Sequence, residues 1–286
     1  MIQYGITVLE YGVQIGFSNA MVFSGYYGSG ETTDVTYTFN VLEDQDGGLI
    51  LVDTGYDNRK PENQALADGV NLTNYRSPVD VLKKVNIDAD DIKHVIITHA
   101  HWDHMGGIGL FPKATFYLQK EELTNWIATM AMPKEYDILK ASVSCTDIEE
   151  CVGLIRERRL VLLDGNVDDL FPGIDIRVAR FGHSFASNLV VVRTHGKKYV
   201  ITGDCAYVKA NITGGRNDGV SMPNGFSVGS TYHAVQTYQD ILKYADGKIE
   251  NVLIGHEMGT WDQYPSVKTE DGLHVAYIEP AAKMCE

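Results

Sequence analysis

A chain of 286 residues, 44% of them hydrophobic, is long enough to bury a sizeable core without covalent staples. Its formal net charge of -14 and pI near 5.0 argue against a polyanionic partner such as nucleic acid, because basic runs such as Arg156-Glu157-Arg158-Arg159 are short and mixed with acid. The four cysteines, Cys145, Cys151, Cys205 and Cys285, have no C-x-x-C spacing, and the chain shows neither a basic leader nor an apolar run of membrane length. A cytoplasmic protein with reduced thiols and no membrane partner is therefore expected.

Residues 2–24 alternate apolar with polar or small residues around Gly5, Gly12 and Gly16, which predicts one or two strands with a turn. Residues 35–42 are rich in β-formers, Asp44-Gln45-Asp46-Gly47-Gly48 is a turn, and 49–52 returns, so a hairpin ends in Asp53-Thr54-Gly55. Ser77-Pro78 opens a helix running through Val85, with serine as cap and proline in the first helical position. A strand over 92–98 follows. Beyond it, Met105-Gly106-Gly107 turns, 114–118 is a short strand and 120–130 a helix.

The stretch 124–145 carries Trp126, Met130, Met132 and Tyr136 with weak periodicity. It reads either as a lid or wall inserted over a pocket or as an amphipathic helix packed on the core. Thr146-Asp147-Ile148-Glu149 resembles a capping box that starts a helix to about Arg158. Strands are expected over 160–163, 174–180 and 188–193, with His195-Gly196-Lys197-Lys198 turning into a strand over 199–202 that delivers Gly203-Asp204. A helix from Ser230 or Thr231 to Tyr244 precedes a last buried strand, 252–254, which delivers Gly255-His256. No stretch has linker composition, so residues 1–286 read as one domain of two stacked sheets with helices outside.

Thr98-His99-Ala100-His101-Trp102-Asp103-His104 packs three imidazoles and a carboxylate into six residues directly after the apolar run 95–97. Packing does not explain such a cluster; metal binding does. His99 and His101 point the same way on an extended chain, whereas Asp103 and His104 need a turn to face inward, which suggests one metal under each pair. Imidazole and carboxylate donors without a thiolate suit zinc first, with iron or manganese behind it. His183, Asp204 and His256 each stand where an apolar run stops, and a glycine precedes each, which lets the backbone turn or approach closely. His94, His195, His233 and His274 lack that setting and read as ordinary surface or core residues, although His233, in the first turn of a helix, could face a pocket.

The series His99-x-His101-x-Asp103-His104, His183, Asp204 and His256 resembles the metallo-β-lactamase superfamily, and Asp53 in Val52-Asp53-Thr54-Gly55 matches the family's early aspartate. The resemblance spans roughly residues 35–256. It implies an α/β fold, an αββα sandwich of two mixed β-sheets flanked by helices, with two Zn2+ in a cleft at its edge. On that resemblance His99, His101 and His183 hold the first metal, Asp103, His104 and His256 the second, and Asp204 bridges them. Asp53 would fix a loop and orient ligands from outside.

Gly203-Asp204-Cys205-Ala206-Tyr207 is similar to the N-acyl-homoserine lactonase branch, where the tyrosine contacts the substrate carbonyl. In that branch a Thr-Pro-Gly-His type of segment usually accompanies the third histidine; here it reads His183-Ser184-Phe185-Ala186-Ser187-Asn188, and Phe185 is expected to reshape the pocket. Neighbouring residues of an extended chain face opposite sides, so Asp204 and Cys205 should not both reach the metals; the resemblance points to Asp204, which follows glycine as the family motif requires.

The expected function is a dinuclear-metal hydrolase that opens a small lactone by attack of a metal-bound hydroxide. Tyr207 would polarise the carbonyl, and Asp103 or Asp204 would relay a proton to the leaving group. A cyclic amide, an imide or another small ester is the alternative on the same site, with β-lactam and thioester hydrolysis further off. Iron redox chemistry is a rival of a different class. The partner is a small molecule, and the resemblance admits a homodimer.

Overall fold

The structure is a computed structural model that describes residues 3–25 and 30–280. The alternating segments become the strands β1 (Tyr4–Ser18), β2 (Thr32–Asp44), β3 (Leu49–Val52), β4 (Leu72–Thr73), β5 (His94–Ile96), β6 (Thr115–Gln119) and β7 (Leu160–Leu163). The second half supplies β8 (Val167–Phe171), β9 (Ile174–Arg180), β10 (Ala186–Thr194), β11 (Lys197–Ile201), β12 (Val252–Leu253), β13 (Ser266–Lys268) and β14 (His274–Glu279). The first sheet runs β13-β14-β1-β2-β3-β5-β6-β7, with β4 beside β1; the second runs β12-β11-β10-β9-β8. Both are mixed. Strands β3, β5, β6 and β7 are mutually parallel, as are β11 and β12, and the remaining pairs are antiparallel.

The period of two sorts side chains into layers. In β10, Val190 and Val192 belong to the core between the sheets, together with Ile6, Leu42, Ile50, Val52 and Ile96 of the first sheet. Their neighbours Leu189 and Val191 face the other way, onto Ala234, Tyr238 and Ile241 of the helix Thr231–Tyr244. Likewise Leu51 and Val95 leave the inter-sheet core for the outer layer, where Leu82, Leu123, Trp126, Ile148 and Leu154 come from the helices Pro78–Lys84, Lys120–Met130 and Cys145–Arg156. The result is the expected αββα sandwich.

Several local expectations are corrected. Residues 4–18 form one strand without a turn; the register against β2 shifts between Glu10 and Gly12 and between Gln14 and Phe17, so the glycines bulge the strand instead of reversing it. Ile2 lies outside the described residues. The strand expected over 92–98 is only His94–Ile96. The capping box expected at Thr146 is replaced by Ser144, whose hydroxyl accepts from the Asp147 amide at 3.3 Å, and the helix starts at Cys145. Ser77 does precede the helix Pro78–Lys84, but its hydroxyl makes no capping bond. His195 and Gly196, with φ of 48° and 72°, make a two-residue turn and the strand resumes at Lys197.

The sequence reading missed β8, an edge strand in which exposed Asp168 and Asp169 hide the alternation, and it missed β13 and β14. Strand β12 is therefore not the last: the chain returns to place β14 beside β1. Cys145, Cys151 and Cys205 are free thiols, while Cys285 lies outside the described residues. Among the described residues no helix is long and apolar enough to cross a membrane.

Ile176 is fully buried between the sheets. Ile176→Ala should cost roughly 2–5 kcal/mol in equilibrium urea unfolding, whereas Ile155→Ala, on a helix face with Ile155 53% exposed, should stay within about 0.5 kcal/mol.

Candidate metal centre

Parallel strands within each sheet bring their carboxyl ends to a common edge, the place where open α/β sheets present chemistry. Asp53 follows β3, the cluster from His99 follows β5, Asp204 follows β11 and His256 follows β12. His183 enters from the turn between β9 and β10. The turn that Asp103 and His104 need is a single helical turn, Trp102–Met105.

These side chains gather into two buried groups, His99, His101, His183 and Asp204 in one and Asp103, His104, Asp204 and His256 in the other, with the donor atoms of each group within 4.8 Å of one another. Asp204 belongs to both. Its Oδ2 lies 3.8 Å from His99 Nε2 and 3.6 Å from His183 Nε2, while its Oδ1 lies 2.9 Å from His104 Nε2 and 3.1 Å from His256 Nε2. Asp103 Oδ2 approaches the second group only, 3.4 Å from His104 Nε2 and 3.6 Å from His256 Nε2.

The glycines before the ligand candidates divide. Gly203 has a φ of 50°, and a Cβ there would lie 2.5 Å from Thr98 Oγ1; one at Gly182 would lie 2.5 Å from Thr237 Oγ1. Gly255 has room for a Cβ, so the close-approach argument fails at that position. Cys205 is buried away from the centre among Val200, Ala234 and Tyr238, and burial pushes its thiol up to about 12. Asp204 and Cys205 do face opposite ways, though in a 3-10 turn rather than an extended strand.

The outer bonds fix which nitrogen faces inward. Asp53, held at a φ of 66°, accepts from the Thr98 amide at 2.7 Å, from Thr98 Oγ1 at 2.8 Å and from His104 Nδ1 at 2.7 Å. Backbone strain of this kind persists where surrounding bonds over-determine it. His256 Nδ1 donates to the Thr36 carbonyl at 2.7 Å, which turns its Nε2 towards Asp204.

Electrostatics separates the groups. Burial, reinforced by neighbouring imidazoles, pulls His99 and His183 well below the usual histidine value, and burial lowers His101 to about 4, so all three are neutral donors. Burial also works against protonation of His104 and His256, but Asp204 and Asp103 outweigh it and raise both. Burial would raise the Asp204 carboxyl; His104 and His256 hold it well below the carboxylate range.

The profile of the metallo-beta-lactamase superfamily matches residues 34–256. The chain belongs to that superfamily. Among curated relatives it is 27% identical to the N-acyl homoserine lactonase AttM of Rhizobium radiobacter over 197 residues, covering 65% of this chain and 66% of AttM. It is 27% identical to the N-acyl homoserine lactonase AiiA of Bacillus thuringiensis subsp. kurstaki over 179 residues, 59% of this chain and 64% of AiiA. The match thus spans just under two thirds of those relatives. Among solved structures, an AiiA variant with N-decanoyl-L-homoserine bound at its active site superposes with a TM-score of 0.63 at 19% identity, covering 93% of this chain and 97% of that one. AidC, a dizinc quorum-quenching lactonase in complex with a product, gives 0.63 at 18%, covering 97% and 95%. At such identity these two establish the shared fold.

In this metallo-beta-lactamase chain a cavity of about 300 Å³ adjoins the centre. His101, Asp103, Asp204 and His256 reach it, and Phe17, Met21, Val35, Val70, Trp102, Ile138, Ala141 and Phe226 give it apolar walls, with Tyr37, Tyr207 and Ser142 as further polar groups. No lysine or arginine lines it among the described residues. The 124–145 segment divides between its two readings: Trp126 is core, while Ile138, Ala141 and Ser142 form wall. Phe185 does not reshape the cavity as expected, because its ring packs 4.9 Å from Trp126 and is not part of the lining. Tyr207 does line it, with its ring centroid 5.5 Å from those of both His183 and His256 and its hydroxyl donating to the Phe226 carbonyl at 2.8 Å.

Sequence reasoning missed Thr98, the apolar walls, and two supports of the aspartates, Tyr11 donating to the Asp103 carbonyl at 2.7 Å and Asn224 donating to the Asp204 carbonyl. Only Thr98, adjacent to the cluster, carried a signal. The four histidines set aside are engaged elsewhere or remote from the cavity lining; His233, for instance, bonds Ser230 at 2.7 Å.

Asp53→Ala strands three buried donors, so metal-free protein should lose roughly 2–4 kcal/mol in chemical unfolding. Asp53→Asn, which keeps one acceptor oxygen and tolerates the left-handed backbone, should lose less.

Proposed function

We propose that this chain is a two-metal hydrolase that opens a lactone. The observation that carries the reading is that Asp204 offers one oxygen to each of two buried histidine groups beside an apolar-walled cavity. His99, His101 and His183 would hold one cation, Asp103, His104 and His256 the other, and Asp204 both. The donors fit: His99 Nε2 is buried without a hydrogen-bond partner, and His104 Nε2 and His256 Nε2 crowd one oxygen of Asp204 at 2.9 and 3.1 Å, a state that two cations would relieve. All-nitrogen-and-oxygen ligation favours zinc, and the dizinc AidC supports that choice.

Held by these residues, two divalent cations would supply a water of pKa lowered towards about 7 and a Lewis acid for a carbonyl. The chain supplies the rest. Burial, followed by Asp204 and Asp103, keeps the Tyr207 phenol well above its usual value, so it is protonated at neutral pH and donates to a carbonyl oxygen after turning from Phe226. Asp103, at the cavity and less enclosed by imidazoles than Asp204, is the better proton carrier to a leaving alkoxide. The apolar walls exclude water and seat a hydrocarbon arm. Among the described residues the lining holds no lysine or arginine to pair with the carboxylate of a β-lactam or of glutathione, which favours an uncharged substrate. The lactonases AttM and AiiA agree with this reading. Because walls come from Phe17, Met21 and Val35, from Ile138, Ala141 and Ser142, and from Phe226, we read the chain as one catalytic domain.

Zinc-loaded protein should release protons from uncharged lactones, and His104→Ala should abolish the release. Turnover of cyclic amides or imides with silence on every lactone would sink the proposal. Since Asp204 and Asp103 make His104 and His256 hold a proton more tightly than ordinary imidazoles in the metal-free centre, zinc binding near neutral pH should expel protons and tighten as pH rises. Calorimetric titration in buffers of different ionisation enthalpy measures this, and zinc uptake without proton release would contradict the ligand assignment.

A further inference from the structure

Glu122 stands in the first turn of the helix Lys120–Met130, where a glutamate is ordinarily solvated, yet it is fully buried. Its Oε1 accepts from the Ala100 amide at 3.0 Å, from Trp126 Nε1 at 2.8 Å and from the Ser184 hydroxyl; its Oε2 accepts from the Ala186 amide at 2.7 Å. Among the described residues no cation pairs with it. A carboxylate buried with neutral donors alone is costly to desolvate, so its four bonds need to be complete.

The donors sit in a telling place. Ala100 lies between His99 and His101, Ser184 directly follows His183, and Ala186 closes the same turn. The Trp126 ring, fixed by the same carboxylate, packs 6.0 Å from the ring of His101. His101 Nδ1 and His183 Nε2 are 3.1 Å apart, so a small change in the spacing of the two loops would spoil their shared geometry. By contrast, no hydrogen bond from Glu122 reaches Asp103, His104 or His256, whose supports are Tyr11, Asp53 and Thr36.

We propose that Glu122 is a positioning residue for the three-histidine metal alone, clamping the His99–His101 loop to the His183 loop. The inference rests on the two-metal reading of the centre. A carboxylate suits this task and an amide does not, because all four neighbours donate and a glutamine would turn its own N–H group against one of them. Ligand supports of this kind typically alter metal affinity 10–100-fold.

The test is zinc stoichiometry and affinity by competition with a chromophoric chelator, on the full chain, alongside melting of the metal-free protein. Glu122→Gln should weaken one of two zinc equivalents about 10–100-fold and spare the other. In a His183→Ala background the same change should add nothing, since the affected equivalent is already lost. Ser184→Ala removes a single donor and should shift the same equivalent in the same direction by less; if Glu122→Gln does not fold, this variant decides the matter. Equal weakening of both equivalents, or unchanged zinc binding in Glu122→Gln or Ser184→Ala, overturns the inference. Two undisturbed equivalents in His183→Ala would instead overturn the assignment of His183 as a ligand, and fewer than two equivalents in the unmodified chain would overturn the two-metal reading itself.

Discussion

Five imidazoles and two carboxylates enclosed in one small volume are the constraint to which the molecule answers. Isolated charges in such a place cost several kcal/mol each, and neutral imidazoles facing one another leave lone pairs without partners. In the metal-free centre the second group meets this by raising the proton affinity of His104 and His256 beside Asp204, whereas the first group stays neutral and leaves His99 Nε2 unsatisfied. The outer bonds from Asp53, Thr36 and Glu122 hold the groups in place before any ion arrives. Rigidity is bought from the two sheets, whose strand ends carry the ligand candidates.

That division of labour explains what the amino-acid order reveals. The cluster from His99 to His104 is legible because its chemistry is local, and His183, Asp204 and His256 because each follows an apolar run and a glycine. The layered fold is legible because alternation in segments such as 188–193 has a period of two. Glu122 is not legible, since a glutamate in the first helical turn suits the helix dipole wherever it stands, and only tertiary packing reveals that it faces inward. The walls from Phe17, Met21 and Phe226 are hidden for a similar reason: an apolar side chain carries no mark of whether it meets a core or a cavity. Strand β8 escaped because charged edge residues break the alternation, and β13 is too short to show one.

The cavity and the centre differ in what they can discriminate. The paired groups would act on any polarisable carbonyl, so they fix a reaction type. On the proposed function, selection among substrates would fall to the walls, where aromatic and aliphatic residues from separate stretches meet. Changes there can alter preference without touching a ligand candidate, which is how one fold serves many activities.

The pairing of β1 with β14 joins segments from opposite ends of the described chain. Glu10 extends that junction, accepting from both the amide and the ring of His274 and from Thr36, whose carbonyl in turn holds His256. Contacts of such long sequence separation form late and slowly in folding. During synthesis β1, β2 and β3 emerge early, but β1 lacks its other neighbour until nearly the whole described chain is made. The His256 side of the centre is therefore among the last parts to acquire its support, and an ion held there would lock a finished topology rather than nucleate it.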